Sequence, residues 1–264
     1  INKYKPDSIH IATEGPLGQA ARKICLDNKW RFTTSYHTQF PEYIKARIPI
    51  PLSISYFFLK RFHSKAEKTL VPTKSMAEKL KDKGFKNIAI WSRGVDKNIF
   101  KPSKVKINNK RKKAVYFGRV SPEKNIEAFL NTNLNIEKIV IGDGPSLAKL
   151  KEEYPEVIFL GEKFGRELSK IVAESDVFVF PSKTDTFGIV IIEALACGVP
   201  VAAYPVTGPK DIIEHEVTGY LSDNLDRAII GALKINRNNC IQESMKYSWE
   251  NCSKQFETSL SLIT

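Results

Sequence analysis

The chain has 264 residues, 42% hydrophobic and 10% aromatic, enough to bury one large core or two medium ones and too apolar for wholesale disorder. Lys and Arg outnumber Asp and Glu 41 to 29, and the formal charge of +12 favours anionic partners: phosphorylated small molecules, nucleic acid or an acidic membrane surface. No apolar run is long enough to span a bilayer, and Cys25, Cys197, Cys240 and Cys252 form neither a CxxC pair nor a cluster with the histidines, so a cytoplasmic protein with reduced thiols, no metal and no cofactor is expected.

The sequence opens at Ile1, and Ser8–Ala12 already reads as a strand inside a domain, so the true N-terminus is expected further upstream. Further strands are expected at Arg31–Tyr36, Thr69–Val71 and Asn87–Trp91, with helices near Gly18–Asp27 and Ser75–Lys83. Between Pro49 and Lys65 a proline-bounded stretch combines an aromatic helical face with basic ends. It reads either as a helix packed on the first sheet or as a contact for an acceptor or a membrane. Lys101–Lys113 is polar and basic and reads as a solvated linker; it lacks the interleaved aromatics of a nucleic-acid surface. From Ala114 onward the alternation is regular. Strands at Ala114–Phe117, Lys138–Ile141, Val157–Leu160, Val177–Phe180 and Val199–Ala203 enclose helices at Glu123–Asn131, Ser146–Glu153, Arg166–Glu174 and Gly188–Ala196. Strands alternating with helices of this length predict an α/β fold with a doubly wound parallel sheet.

Chemistry concentrates in three turns. In Pro181–Pro200 a buried strand gives way to a polar loop and then to a helix beginning at Gly188. A helix N-terminus at the carboxyl end of a parallel strand offers free amides and partial positive charge to a phosphate. Within that helix Glu193 is the one charge among apolar neighbours, so it needs a partner: vicinal ligand hydroxyls, or a cation or amide of the protein. Asp185, in the preceding loop, reads as a helix cap when taken alone. After the strand ending at Phe117, Gly118 opens a turn flanked by Arg119 and Lys124, two cations suited to a diphosphate or else to solvent. After the next strand comes the turn Ile141-Gly-Asp-Gly-Pro145.

Together these motifs resemble the family-4 glycosyltransferases of the GT-B fold, over nearly the whole chain. Gly118-Arg119 with Glu123-Lys124-Asn125, the Gly142–Pro145 turn and Pro181–Val201 stand in that family's order and spacing. So do Arg93-Gly-Val-Asp96 with Phe100-Lys-Pro102, and Tyr247-Ser-Trp249 with Phe256. The resemblance implies two Rossmann-like lobes, the first incomplete: a partial acceptor-side lobe at 1–97, a linker at 98–111, a nucleotide-sugar-binding lobe at 112–245 and a helix at 246–264 crossing back to the first. It implies that Arg119 and Lys124 hold the donor diphosphate, with Gly144, Phe187, Gly188 and Ile189 on the donor side, and that Glu193 takes the ribose. Asp185, shorter than the glutamate common at its place, would contact the transferred sugar, and His37 would stand near the reacting carbon.

The implied reaction is retaining, metal-independent transfer of a hexosyl group, mannosyl by the likeness of Thr184–Gly188 to mannosyltransferases. The donor would be GDP-mannose or a UDP-hexose and the acceptor a lipid or glycan. Peripheral contact with an anionic membrane at its cytoplasmic face is also expected. Family members carry, ahead of the equivalent of Ser8, a glycine-rich turn that this sequence lacks. That keeps open a non-catalytic remnant that only binds nucleotide sugar; a sugar epimerase of the same fold is a further alternative.

Overall fold

The computed structural model describes residues 5–103 and 111–263. Most of the expected basic linker, at 104–110, lies outside the described residues. The chain divides into two compact units, Ile1–Ser92 with Glu250–Thr264, and Arg93–Trp249.

The first unit holds a parallel sheet of four strands, β1 (His10–Ile11), β2 (Thr33–Ser35), β3 (Lys68–Val71) and β4 (Ile88–Ile90), paired in sequence order. Strand β2 is fully buried although its residues are Thr33, Thr34 and Ser35. Buried hydroxyls need partners, and the alternation of side chains along a strand dictates where these stand. Thr33 and Ser35 share one face, and both meet His10 of β1, with Thr33 Oγ1 2.8 Å from Nδ1 and Ser35 Oγ 2.6 Å from Nε2. Thr34, on the other face, lies 2.9 Å from Nδ1 of His63. The proline-bounded stretch forms the helix Leu52–His63, with Tyr56, Phe62 and His63 buried and with Phe57 and Phe58 63% and 64% exposed. One face of it packs as a structural helix would, and the other turns aromatic rings to solvent.

The second unit is built on β5 (Lys113–Phe117), β6 (Glu137–Ile141), β7 (Ile158–Phe159), β8 (Val177–Phe180), β9 (Val201–Ala203) and β10 (Gly219–Leu221). All are parallel, in the order β10-β9-β8-β5-β6-β7. The strands are apolar on both faces because both are covered. Val115, Phe117, Ile139, Phe178 and Phe180 enter one core, and Ala114, Tyr116, Val140, Val177 and Val179 the other. Burying a side chain such as Phe178 contributes about 2–3 kcal/mol.

One expected element is different. The helix anticipated over Glu123–Asn131 is a 3-10 turn, Pro122–Lys124, followed by the helix Ile126–Leu130, with Asn125 between them at φ 54°. Asn tolerates this left-handed backbone, and its side-chain amide donates to the Pro181 carbonyl at 3.0 Å, tying the turn after β5 to the loop after β8. The helices Phe40–Arg47, Leu225–Ala232 and Arg237–Ser244 and strand β10 add to the expected set.

Candidate functional site

Strands β5 and β8 are neighbours, yet from β5 the chain moves to one side of the sheet through β6 and β7, and from β8 to the other through β9 and β10. Such a switch point leaves a crevice at the carboxyl ends of the strands. Here the crevice is a cleft of about 600 Å³, reaching from Gly118 and Arg119 through Gly142–Gly144 to Val190 and Glu193.

Glycines let its walls close on each other. A Cβ at Gly142 would stand 1.9 Å from the Gly118 carbonyl oxygen, and one at Gly144 2.2 Å from that of Val120. Both residues also have positive φ, 137° and 155°. Val120 N–H donates to the Asp143 carbonyl at 2.8 Å, so the turns after β5 and β6 form one backbone unit. Gly188, at φ 90°, precedes the helix Ile189–Ala196, whose first turn no side chain caps. Its leading amides are therefore available to an anion.

Glu193 lies on that helix between buried Ile192 and Ala194, and it lines the cleft. Burial alone pushes its carboxyl up to about 7, with no neighbouring charge or hydrogen bond acting on it among the described residues. Of the partners open at the sequence level, neither a protein cation nor a protein amide meets it among the described residues. At the C-terminal end of the same helix, Arg237 donates to the carbonyls of Cys197, Ser175 and Ala173, at 3.4, 2.6 and 2.7 Å, which anchors the helix from behind.

Arg119 lines the cleft with a 65% exposed side chain, 4.0 Å from Glu123. Lys124 is less exposed, and its ammonium pairs with Asp185 Oδ1 at 2.6 Å. Two residues given separate tasks thus share one contact across the loops after β5 and β8. Asn125 and Thr184 reinforce it, through Pro181 and Glu123 respectively. Gly144 lines the cleft as expected. Phe187 does not line the cleft, and its ring is buried against Tyr247. Ile189 is 45% exposed. His37 belongs to the first unit, just past the end of β2, with its ring 5.7 Å from that of Trp91.

Glu162, Lys163 and Phe164, after β7, also line the cleft and were not singled out in the sequence. Lys163 is held by Glu167 at 2.6 Å, while Phe164 is 72% exposed. No local motif marks them; only the strand order, which seats β7 two places from β5, brings them to the site. Ser182 Oγ, at the end of β8, is buried with no hydrogen-bond partner among the described residues. Among these residues no three His, Cys, Asp or Glu side chains cluster as a metal site would require.

The family model "Glycosyl transferases group 1" matches residues 97–242, and "Glycosyltransferase Family 4" matches residues 1–98. The chain is 34% identical over 237 residues to a GDP-mannose-dependent alpha-mannosyltransferase of Corynebacterium glutamicum, covering 86% of this chain and 57% of that relative. It is 26% identical over 290 residues to an alpha-monoglucosyldiacylglycerol synthase of Streptococcus pneumoniae, covering 96% of this chain and 66% of that one. The chain thus spans little more than half the length of the mannosyltransferase relative. Anabaena Alr3699/HepE, solved in complex with UDP, superposes with a TM-score of 0.77 at 18% identity, over 95% of this chain and 78% of that one, a likeness of fold.

Proposed function

Because this chain belongs to the group 1 glycosyl transferases, we propose that its second unit binds a nucleoside-diphosphate sugar and that the protein moves the hexosyl group, mannosyl by preference, to an acceptor hydroxyl with retention at the anomeric carbon. Glu193 carries the reading: a carboxylate on a buried helix, pushed up to about 7 by burial alone, standing in a cleft walled by glycine turns. Two vicinal ribose hydroxyls would donate to its two oxygens and remove the cost of burying it.

In this reading the remaining groups serve the donor diphosphate. The uncapped amides at Gly188–Ile189 and the guanidinium of Arg119 neutralise charge developing on the leaving group. Lys124 does so after loosening from Asp185, which then faces the transferred sugar. Positive charge from these groups lets the reading dispense with a metal, and chelation by EDTA should leave turnover unchanged. His37, on the first unit, contributes beside the reacting carbon. The acceptor is a lipid or glycan, the natural setting is the cytoplasm, and the exposed Phe57 and Phe58 with their basic neighbours supply contact with the cytoplasmic face of an anionic membrane. The relatives' names support donor and acceptor classes of this kind: one uses GDP-mannose, another makes a glucosylated diacylglycerol.

Thermal-shift measurement against GDP, UDP, GDP-mannose, UDP-glucose and the free nucleosides tests the reading. Stabilisation by the diphosphates and their sugars, with GDP forms leading and nucleosides weaker, is expected. A melting curve that none of them moves would contradict it.

A further inference from the structure

In the first unit, the segments that lead into β3 and β4 enclose a cavity of about 340 Å³, lined by Lys60, His63, Ser64, Gly84, Phe85 and Lys86. It lies at the amino ends of those strands, whereas the ligands of open parallel sheets bind at the carboxyl ends. Its floor is aromatic and buried: the His63 side chain is 1% exposed, and its ring stands 5.9 Å from that of Phe85. Its charged lining is cationic, and no carboxylate takes part in it.

The protein answers neither cation. Lys60 and Lys86 have no ion pair or side-chain hydrogen bond among the described residues. The helix carbonyls that might have drawn them in are already taken. At the end of Leu52–His63, Arg22 donates to the carbonyls of Arg61 and Phe62, at 3.0 and 2.9 Å. At the end of Lys74–Asp82, the Leu80 and Lys81 carbonyls accept from the amides of Phe85 and Gly84, at 3.0 and 2.8 Å. The partial negative charge of both helix ends is thus met elsewhere. Gly84, at φ 78°, lets the Lys60 ammonium come close to the turn, where a Cβ would stand 2.6 Å from Nζ. The turn closes on Asn87 at φ 54°, and the amides of Lys86 and Asn87 meet no acceptor among the described residues. Open amides in such a turn, beside two ammonium groups, are the elements of an anion-binding concavity.

We propose that this cavity binds a small phosphate-bearing anion, with Lys60 and Lys86 as its counter-charges and the open amides as neutral donors. The stretch Lys60–Lys86 carries nine Lys and Arg against three Asp and Glu, so the local field draws an anion in. The site is independent of the transfer reaction proposed above. Its floor also ties it to the rest of the unit, because His63 meets Thr34 of β2 through Nδ1 and Glu14, in the loop after β1, through Nε2. An anion arriving in the cavity changes the field on that ring.

The His63 ring is therefore the reporter. The full chain, with its four histidines isotope-labelled, is titrated with inorganic phosphate at constant pH and ionic strength and followed by NMR. The His63 signal, identified by its through-space contacts with the rings of Phe62 and Phe85, should move saturably. Lys60→Ala and Lys86→Ala should each raise the half-saturating concentration at least fivefold. Lys74→Ala removes the same charge at the far end of the helix Lys74–Asp82 and should leave the response unchanged. Arg119→Ala, in the cleft of the second unit, should do likewise. A His63 signal that phosphate leaves in place would overturn the site, as would a response that both cavity substitutions leave intact. An equal loss in Lys74→Ala would trace the effect to a diffuse basic surface and overturn it as well.

Discussion

The two units treat buried polar groups in opposite ways. In the first, a strand of Thr33, Thr34 and Ser35 is satisfied from within, by His10 on one face and His63 on the other. In the second, the strands are apolar, and polar groups gather where they end, with Glu193 lining a cleft and the helix after Gly188 left without a side-chain cap. His10 and His63 thus serve the sheet. The burial of His10 pushes its imidazole down to about 4, so it stays neutral between two hydroxyls as a structural ring would. A carboxylate that the protein leaves unanswered is the better guide.

The sharpest way to break the contrast is to change the backbone of the second unit's cleft. Gly142→Ala should lower stability by about 3 kcal/mol or more and abolish GDP binding, since its Cβ would collide with the Gly118 carbonyl. Gly161→Ala, also at positive φ but in open space, should cost only about 1 kcal/mol. Urea denaturation compares the two, and equal losses would mean that the close approach of the turns matters little.

In the first unit, His63→Ala should cost about 1–3 kcal/mol, because it removes the partner of Glu14 Oε1 and leaves the Thr34 hydroxyl to Thr69 alone. GDP affinity should hold. A fall in that affinity without any loss of stability would show that His63 serves the donor and not the sheet.

Glu193→Gln sharpens the comparison through pH. The carboxyl titrates near 7 in the folded chain against 4.5 as its ordinary value, so the native state holds the extra proton between those limits. Stability therefore falls as pH rises through that window, and the whole cost of burying the charge is present above about 7. Removing the charge should stabilise the apo protein by on the order of 2–3 kcal/mol at pH 8 and hardly at all at pH 4. Melting temperatures of the two forms across this range check it. A substitution that destabilises the protein at pH 8 would reveal a hidden partner.

A smaller effect is expected at the Lys124–Asp185 pair. Asp185→Asn frees the ammonium for phosphate, so GDP should bind more tightly by about 1 kcal/mol while sugar transfer falls. Weaker GDP binding in this variant would mean that the pair holds the loop open for the ligand.

Much of the second unit was legible in the sequence because its signals are local. Apolar runs of strand length, helical spacing between them and glycines at the turns all arise within a few residues, and so does the isolation of Glu193 on an apolar helix. What stayed hidden depends on distant partners. Asn125 breaks a helix because Pro181, far along the chain, accepts its amide. Lys124 and Asp185 meet only because β5 and β8 are neighbours, and Phe164 reaches the cleft only through the strand order. In the first unit, His63 and Glu14 are separated by 49 positions, and nothing in either segment announces their contact.

Calorimetric titration of GDP and of guanosine into the wild-type chain, Arg119→Ala and Lys124→Ala tests most directly whether the second unit's cleft is built for a nucleoside diphosphate. Each substitution should weaken GDP by about 1.5–3 kcal/mol, the range for charge-assisted hydrogen bonds, and leave guanosine unchanged. GDP affinity unaltered in both variants would contradict the account.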